Sequence, residues 1–489
     1  MAILALDAGT TGVTALVVSE TGAVISRGYR EFLQYFPEPG FVEHEPEEIW
    51  QATVAAATEA LSQTTTPLSA IGITNQRETI VLWDKHTLRS PRKAIVWQDR
   101  RTAELVQQLK ASGLEPRIQK LTGLGLDPYF SSSKLLWLSV NEPELWLAVN
   151  EGSLRIGTVD SYLVARLTAG AAHVTDASNA SRTQLLDISS GTWSDELLEV
   201  FNVPKSALPK VVPSYGEIAR TDPSSFLNLS LPITGIAGDQ QAALFGQTAF
   251  AVGEGKCTYG TGAFMLTNTG SKIIESQNGL LSTIAWQAPD GSLTYALEGS
   301  VFVAGAAVQW LRDGLGIIAS SSEIEALAAS VPDSGGVMFI PALTGLGAPH
   351  WDPDARGTLF GITRGTTRAH IARATLEAIA FQVRDLAIAM TSDTGTSLTQ
   401  LRVDGGAAAN NLLMQLQANY LGAAVIRGKN LESTGTGAAF LAGLGSGLWS
   451  SMEQLRSAFE VDRVFEPLAF DSSQLESWDK AVALSRQWK

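Results

Sequence analysis

The sequence has very little cysteine, since Cys257 is the only one among 489 residues. A single cysteine excludes an internal disulfide framework and a zinc site built from several cysteines. Histidine is also rare, and the five histidines show no spacing typical of metal ligands. We therefore expect neither a disulfide-rich protein nor a zinc-dependent one.

Basic residues and long apolar runs are scarce as well. The chain has 35 basic and 49 acidic residues, a net charge of −14. This charge argues against nucleic acid or an anionic membrane as a partner. No apolar run approaches the roughly 20 residues of a membrane helix, and one of the longest, residues 301–311, contains Gln309. Residues 1–18 alternate as strand, turn and strand, unlike a secretory signal. We expect a cytoplasmic protein without membrane insertion.

The length of the chain favours two domains. A content of 45% hydrophobic and 17% charged residues is typical of a folded protein. A chain of 489 residues exceeds what one core usually holds, and two domains of roughly 200–250 residues are expected. We place the boundary near residues 246–253, which gives domains at 1–250 and 251–489.

Each half begins with a Gly/Thr-rich hairpin pattern. In the first half, residues 3–6 and 13–18 are apolar runs on either side of the turn at residues 7–12. In the second half, residues 258–266 repeat the same composition around Gly260-Thr261-Gly262. Two hairpins of one kind predict two related α/β domains.

Other segments predict the elements that follow these hairpins. Helical composition or apolar periodicity predicts helices at residues 47–61, 375–390 and 411–421, the last ending before Gly422. A buried strand is predicted at residues 71–74, and a strand leading through a tight turn into a helix at 235–244. The tail beyond about Glu453 is predicted to be a helical appendage.

Three glycine-containing turns point to phosphate binding. The common single-loop motifs GxxxxGK[ST] and GxGxxG are missing. Instead, tight turns follow apolar strands at residues 7–12, 260–262 and 404–406, and two of them begin with aspartate. One such turn alone is an ordinary structural turn. Three together predict backbone amides that hold phosphate.

With these turns and the segments around them, the sequence resembles the FGGY carbohydrate kinases of the actin–hexokinase superfamily. The segments that carry the resemblance span nearly the whole chain: LDAGTTG, FVEHEPEEIW, ITNQRETIVLWD, AIVWQDRRTAE, LDPYFSSSK, HVTDASNASRT, GIAGDQQAALFGQ, YGTGAFMLTNTG, ALEGSVFVAGAAVQWLRD, PALTGLGAPHWDPDARGTLFGITRGT and LRVDGGAAANN. The resemblance implies an α/β protein with two ribonuclease-H-like domains around a central cleft. It also implies ATP, Mg²⁺, phosphoryl transfer to a terminal hydroxyl of glycerol, and a homodimer or homotetramer.

The resemblance implies that Asp239 is the general base that accepts the proton of the attacking hydroxyl. A carboxylate at a strand end can reach both a hydroxyl and magnesium. Asp7, beside the first turn, would orient Mg²⁺ through water, so the implied metal residues are Asp7 and Asp239. Two structural alternatives stay open: Asp239 could cap a helix, and Asp7 could stabilise its own turn.

The resemblance also implies two sets of binding residues. The polyol set consists of Arg77, Glu78, Tyr129, Asp239 and Gln240, with Trp97 and Phe264 as walls. The nucleotide set consists of Thr10, Thr11, Gly12, Thr261, Gly305, Gln309, Gly406 and Asn410. Without the resemblance, Arg77-Glu78 would be taken for a solvated hairpin tip, Trp97 for a core residue, and Gly305 and Gln309 for ordinary helix positions.

The first turn departs from the family pattern. Family members that phosphorylate glycerol commonly carry Ser-Ser-Arg after the two threonines, whereas this chain has Gly12-Val13-Thr14. Thr14 thus replaces an arginine that would touch the ATP phosphates.

Two alternative functions stay open. The first is a kinase of the same family for a ketopentose or a larger polyol, although Trp97 and Phe264 would crowd such a sugar. The second, a catalytically silent nucleotide-binding regulator, is disfavoured because Asp239 and the Asp7 turn are intact.

Overall fold

The structure, a computed structural model, describes residues 1–352 and 354–486. Its first half is built on a six-stranded sheet in which neighbours in space are Tyr215–Arg220, Pro232–Gly238, Leu68–Asn75, Ala2–Ala8, Gly12–Ser19 and Val24–Glu31. In Ala2–Ala8, Leu4 and Leu6 face one apolar cluster, while Ile3 and Ala5 face another. Apart from Asp7 near its end, the strand is apolar because both faces of the sheet are covered.

The second half repeats this arrangement in a seven-stranded sheet. Its neighbours in space are Leu281–Gln287, Leu293–Val301, Ala263–Gly270, Gly255–Tyr259, Gln400–Asp404, Ala424–Gly428 and Val461–Phe465. In each sheet the strand that comes first in the chain, Ala2–Ala8 or Gly255–Tyr259, pairs antiparallel with the strand that follows it. On its other side it pairs parallel with Leu68–Asn75 or Gln400–Asp404. That strand in turn pairs parallel with Pro232–Gly238 or Ala424–Gly428. The predicted pair of related α/β domains of the ribonuclease-H-like class is therefore confirmed.

Two helices that follow corresponding strands cross between the sheets. They are Asp239–Gly246 and Ser433–Ser446. A Cβ built on Gly437 would lie 1.8 Å from the carbonyl oxygen of Ala242, so only glycine allows this close approach. Ala438, Leu441 and other residues of the second helix share an apolar cluster with Ile3 and Ala5 of the first sheet. The two halves thus have one continuous apolar layer between them.

Most of the local predictions are confirmed. The hairpins form, the strand predicted at 71–74 extends over Leu68–Asn75, and the predicted helices are Pro46–Ser62, Arg368–Thr394 and Asn411–Leu421. Gly422 ends the last of these in the left-handed conformation, with φ 64°.

The tail is where the sequence prediction is wrong in part. Val461–Phe465 is a strand that pairs antiparallel with Ala424–Gly428, not part of a helical appendage. It is a mostly exposed edge strand, so its sequence lacks a clear apolar alternation, and its pairing depends on a distant backbone. The final helix, Ser473–Ser485, buries Trp478 against Phe381 with ring centroids 5.1 Å apart.

The remaining elements surround the two sheets. A third sheet contains Gln34–Tyr35, Glu43–His44, Ala94–Ile95, Ile80–Asp84 and Leu154–Thr158, and short strand pairs form at Val174–Asp176 with Lys210–Val212, Leu186–Asp187 with Thr192–Trp193, and Met338–Ile340 with Thr358–Phe360. The other helices are Ala103–Ala111, Glu115–Thr122, Ser131–Asn141, Pro143–Asn150, Val159–Leu167, Ala177–Ser181, Asp195–Val200, Gly305–Asp313, Glu323–Ala329 and Met452–Ala458, with 3₁₀ turns at Lys205–Ala207 and Gly406–Ala409. None of the described helices has the length and apolar composition needed to cross a membrane.

Candidate active site

Two carboxylates lie at one edge of the first sheet. Asp7 is near the end of Ala2–Ala8, and Asp239 directly follows Pro232–Gly238. These strands both run parallel to Leu68–Asn75 between them, so their carboxyl ends meet at the same edge. The Asp239 side chain is 29% exposed, and its Oδ1 lies 3.0 Å from Arg77 Nε.

Asp239 is the first residue of its helix, and the N-cap position belongs to Gly238. Asp239 Oδ1 accepts a hydrogen bond from the neighbouring Gln240 amide at 2.7 Å. An N-cap side chain would instead accept from an amide two or three positions further along. The position of Asp239 therefore weakens the capping alternative.

Asp7 lies in an environment that suits a cation. Burial raises the pKa of its carboxyl well above the usual range, and the negative charges of Asp239 and Glu432 raise it further. A bound divalent cation would relieve this repulsion. The described residues contain no cluster of three or more metal-ligating side chains. Two carboxylates fit Mg²⁺, which proteins commonly hold with one or two carboxylates, substrate phosphates and water.

Arg77 and Glu78 are buried in an ion-pair network rather than exposed at a hairpin tip. Arg77 Nη1 and Nη2 donate to the two carboxylate oxygens of Glu298 at 2.5 and 3.1 Å. Arg182 joins the same network, donating from Nε to Glu78 at 2.7 Å and from Nη2 to Glu298 at 3.1 Å. Glu78 has a φ of 61°, a strained backbone conformation for a residue with a side chain.

The charge states of the network follow from its composition. Burial alone would raise the pKa of Glu298, but the Arg182 and Arg77 guanidiniums bring it down to about 2. Burial raises the pKa of Glu78, and the same two guanidiniums oppose the rise. Glu298 is thus an ionised carboxylate shared between two guanidiniums.

Aromatic side chains form a wall beside this network. The rings of Trp97 and Tyr129 meet edge to face with centroids 5.5 Å apart, and the Tyr129 hydroxyl lies 3.4 Å from Arg77 Nη2. Trp97 Nε1 donates to Thr10 Oγ1 at 3.0 Å, which connects the wall to the first predicted phosphate turn. Phe264 lies on the second sheet and is paired with Ser300 of the neighbouring strand. Ser300 is two positions from Glu298 in that strand, so the side chains of Phe264, Ser300 and Glu298 lie on the same face of the sheet.

Gln240 connects the two halves through a buried lysine. Its side-chain oxygen accepts a hydrogen bond from Lys256 Nζ, which also donates to Thr258 Oγ1 at 2.8 Å. Lys256 is fully buried. Burial lowers the pKa of its ammonium, and nearby Asp404 opposes the change.

The predicted nucleotide residues gather at the corresponding edge of the second sheet. The turn at Thr261 is joined to the helix Gly305–Asp313 by hydrogen bonds from Gly305 N to Gly260 O and from Ala306 N to Thr261 O, both 3.0 Å. Gln309 is exposed on that helix. Thr261 is also exposed, so its amide and hydroxyl are accessible to a ligand.

Gly406 and Asn410 lie on a neighbouring turn after Gln400–Asp404. Gly406 is exposed, and a Cβ built on it would meet nothing within 4 Å. Asn410 caps the helix Asn411–Leu421 by accepting from the Leu413 amide at 2.9 Å through Oδ1. The cap uses only the oxygen, so the side-chain NH₂ group of Asn410 can still donate to a ligand.

The remaining predicted residues flank the first turn. Thr11 is exposed, whereas Gly12 is buried where the second strand begins to pair with the third. Thr14 is opposite Asp7 in the pairing of the first two strands. Its side chain therefore lies on the same face of the sheet as the Asp7 carboxylate.

Sequence reasoning missed Arg182, Glu298, Lys256 and Gln241, whose side-chain oxygen lies 3.3 Å from Arg77 Nη1. Glu298 is a lone charge in the apolar segment Tyr295-Ala296-Leu297-Glu298-Gly299-Ser300-Val301, and Lys256 is the one charged residue of the strand Gly255–Tyr259. A charge inside a buried strand is unfavourable unless it is paired. That rule could have marked these two residues as functional candidates, although it could not have identified their partners.

Family models match both halves of the chain. Residues 2–246 match the N-terminal domain of the FGGY family of carbohydrate kinases, and residues 255–446 match the C-terminal domain. The chain belongs to the FGGY family of carbohydrate kinases. Among its relatives, a glycerol kinase from Trichlorobacter lovleyi is 53% identical over 495 residues, covering 99% of each chain.

Two further relatives of this FGGY kinase agree with that placement. A glycerol kinase from Bdellovibrio bacteriovorus is 50% identical over 487 residues, covering 98% of each chain. The crystal structure of Plasmodium falciparum glycerol kinase with ADP superposes with a TM-score of 0.92 at 37% identity, covering 99% of this chain and 98% of that one.

Proposed function

We propose that this FGGY kinase transfers the γ-phosphoryl group of ATP to a terminal hydroxyl of glycerol, giving ADP and sn-glycerol 3-phosphate. The observation that carries the proposal is the pairing of Asp239 with the buried Arg77, beside Glu78 and the Trp97–Tyr129 wall. The names of the 50–53% identical relatives support the same substrate.

The chemistry of the polyol residues suits a small triol. Glycerol has three hydroxyls and a short apolar carbon edge, so it needs a few fixed donors and acceptors beside an aromatic surface. Arg77 supplies donors, Glu78 supplies acceptors, and the aromatic pair supplies the surface. A ketopentose would need more room, and Trp97 and Phe264 would crowd it.

In the proposed mechanism Asp239 accepts the proton of the attacking hydroxyl as the new P–O bond forms. Arg77 keeps the Asp239 carboxylate in place through the 3.0 Å contact. Asp7 and Asp239 would hold Mg²⁺, which when bound neutralises charge on the phosphate oxygens. The helix position of Asp239 fixes its backbone, so the base is held in place before the substrates bind.

The second half would hold the nucleotide. Exposed amides at the Thr261 turn would contact phosphate oxygens, and Gly406 would let the adenosine lie against the backbone. The division of the chain into a polyol domain (1–250) and a nucleotide domain (251–489) is part of the proposal. Closure of the two halves would exclude water as a competing acceptor. A cytoplasmic location and a homodimer or homotetramer stay predictions.

The test is a coupled ADP-release assay over glycerol, dihydroxyacetone, erythritol, xylulose, ribulose and gluconate. We expect the highest kcat/KM with glycerol. A value for xylulose or ribulose at least tenfold above that for glycerol would refute the glycerol assignment and leave the family placement intact. Absence of turnover with every acceptor would favour the nucleotide-binding regulator.

A further inference from the structure

We propose that Glu298 and Arg182 are positioning residues for the polyol, so that a strand of the nucleotide-binding half fixes the geometry of the polyol site. The inference rests on the proposed function in that it concerns the acceptor of the same reaction. Neither residue is among those that the family resemblance implied. Both are fully buried, with at most 1% of each side chain exposed.

The five charged groups form a chain of alternating sign. Asp239 contacts Arg77 at 3.0 Å, and Arg77 binds Glu298 with both terminal nitrogens. Glu298 then contacts Arg182 at 3.1 Å, and Arg182 contacts Glu78 at 2.7 Å. Glu298 is the central group of this chain, and it is the member that comes from the second sheet.

The donors of Arg77 show what Glu298 does. A guanidinium has five N–H donors in a fixed fork. Glu298 takes two of them in a bidentate pair, which fixes the plane of the guanidinium. The contacts of Arg77 with Gln241 (3.3 Å) and Tyr129 (3.4 Å) are long and weak. These are the donors that polyol hydroxyls would engage.

Arg182 acts in the same way on Glu78. Its Nε holds one carboxylate oxygen of Glu78, while its Nη2 is tied to Glu298. The Glu298 carboxylate therefore orients the donor Arg77 directly and the acceptor Glu78 through Arg182. Stability alone is a poor reason for such a network, because well-packed apolar residues often serve as well as or better than buried ion pairs.

Loss of the Glu298 charge should change the conformation of Arg77. Arg77 would keep Asp239 and Glu78 as neighbours, at 3.0 and 3.9 Å from its Nε. Its guanidinium would turn toward these carboxylates and occupy the space proposed for the polyol. Nucleotide contacts at Thr261, Gly406 and Asn410 would be unaffected.

The experiment compares Glu298→Gln with Glu377→Gln in the full-length protein. Glu377 is a matched control because it is a buried carboxylate of the second half, paired with Arg373 at 2.7 Å and outside the site. For each variant, the KM of the acceptor, the KM of ATP, and the thermal shifts caused by saturating acceptor and by ADP are measured.

We expect Glu298→Gln to raise the acceptor KM at least tenfold and to abolish the acceptor-induced thermal shift. The KM of ATP should stay within threefold of the parent value. The ADP-induced thermal shift should equal that of the parent within error. Glu377→Gln should leave both KM values unchanged, whatever it does to the melting temperature. Equal changes in both KM values, or an acceptor KM within threefold of the parent, would overturn the inference.

A second variant covers failure of Glu298→Gln to fold. Arg182→Lys keeps the positive charge but cannot contact Glu78 and Glu298 simultaneously through a planar fork. It should raise the acceptor KM selectively by at least fivefold, and a parental KM would contradict the inference. The acceptor in these assays is whichever compound the parent protein phosphorylates best. The substrate panel with the parent protein therefore tests whether glycerol is the acceptor. The KM values of the variants separately test the positioning role.

Discussion

The two large sheets share one strand order and differ at the edge where the strands end. Counted back from the turn glycines Gly9 and Gly260, the place of Asp7 in the first sheet is held by Thr258 in the second. The Thr258 hydroxyl accepts a hydrogen bond from the Lys256 ammonium at 2.8 Å. One edge therefore presents a carboxylate where the other has a neutral hydroxyl beside a Gly-Thr-Gly turn.

Pro232–Gly238 and Ala424–Gly428 hold corresponding places in the two sheets, and their ends differ in the same sense. Pro232–Gly238 leads into Asp239, whereas Ala424–Gly428 leads into Lys429, which pairs with Glu460 on the surface. One scaffold thus supplies an edge with acidic side chains and an edge with accessible backbone. The fold thus fixes where chemistry can occur, while a few residues at strand ends decide which chemistry it is.

The largest expected effect removes the charge from the acidic edge. Asp239→Asn should lower kcat by at least about 10²-fold, because a positioned base typically contributes about 10²–10⁴-fold. The KM of ATP should change little, since the second edge is untouched. Steady-state kinetics and a thermal melt of the same sample check this. A kcat within threefold of the parent, at an unchanged melting temperature, would show that Asp239 has only a local structural role.

A smaller effect is expected from filling the open space at the second edge. Gly406→Ala should raise the KM of ATP about tenfold, equivalent to about 1.4 kcal/mol, because the methyl group would hold the adenosine away from the backbone. Folding should be unaffected, since nothing lies within 4 Å of the new Cβ. Gly365→Ala, at an exposed glycine elsewhere in the same half, is the control. A parental KM in Gly406→Ala would remove Gly406 from the nucleotide site.

Thr14→Arg tests whether the first edge also contacts phosphate. Thr14 lies opposite Asp7, so a guanidinium there would lie beside the acidic edge and within reach of the ATP phosphates. We expect ATP to bind more tightly by about 1 kcal/mol, with the KM of glycerol unchanged. Thr14→Gln provides a long uncharged control. An unaltered KM of ATP would show that another group already fills this role.

The last effect is on stability and not on activity, and it concerns pH in both halves. Burial raises the pKa of Asp160 in the first half and of Asp385 in the second to about 7. Each folded carboxyl thus holds its proton from about pH 4 to 7, where the unfolded chain has lost it. The resulting stabilisation is present below pH 4 and is lost as the pH rises through 7.

Replacing either aspartate by asparagine removes this titration. Between pH 5.5 and 8.5 the unfolding free energy of the parent should fall relative to Asp160→Asn by about 1.4 kcal/mol or more, the value of one pKa unit. The change in Asp385→Asn should be smaller, because 15% of that side chain is exposed whereas Asp160 is fully buried. Urea unfolding at the two pH values measures both. Parallel pH dependence in parent and variants would contradict the assignment.

Local pattern predicted much of the fold and part of the site. The hairpins, the helix that ends at Gly422 and the strand before Asp239 follow from apolar periodicity and turn residues, which act over a few positions. The ion-pair network could not be predicted in this way. Arg77 and Glu298 are 221 positions apart, and Arg182 and Glu78 are 104 apart. Only tertiary packing brings these side chains together, that of the two halves for Arg77 and Glu298 and that within the first half for Arg182 and Glu78.

In the proposed mechanism, the acidic edge of the first sheet directs the phosphoryl group of the nucleotide to a polyol and not to water. ³¹P NMR of the protein with MgATP, with and without glycerol, tests this directly. With glycerol, we expect ADP and sn-glycerol 3-phosphate in a one-to-one ratio, and without glycerol hardly any inorganic phosphate. Inorganic phosphate formed at the same rate whether or not glycerol is present would contradict it.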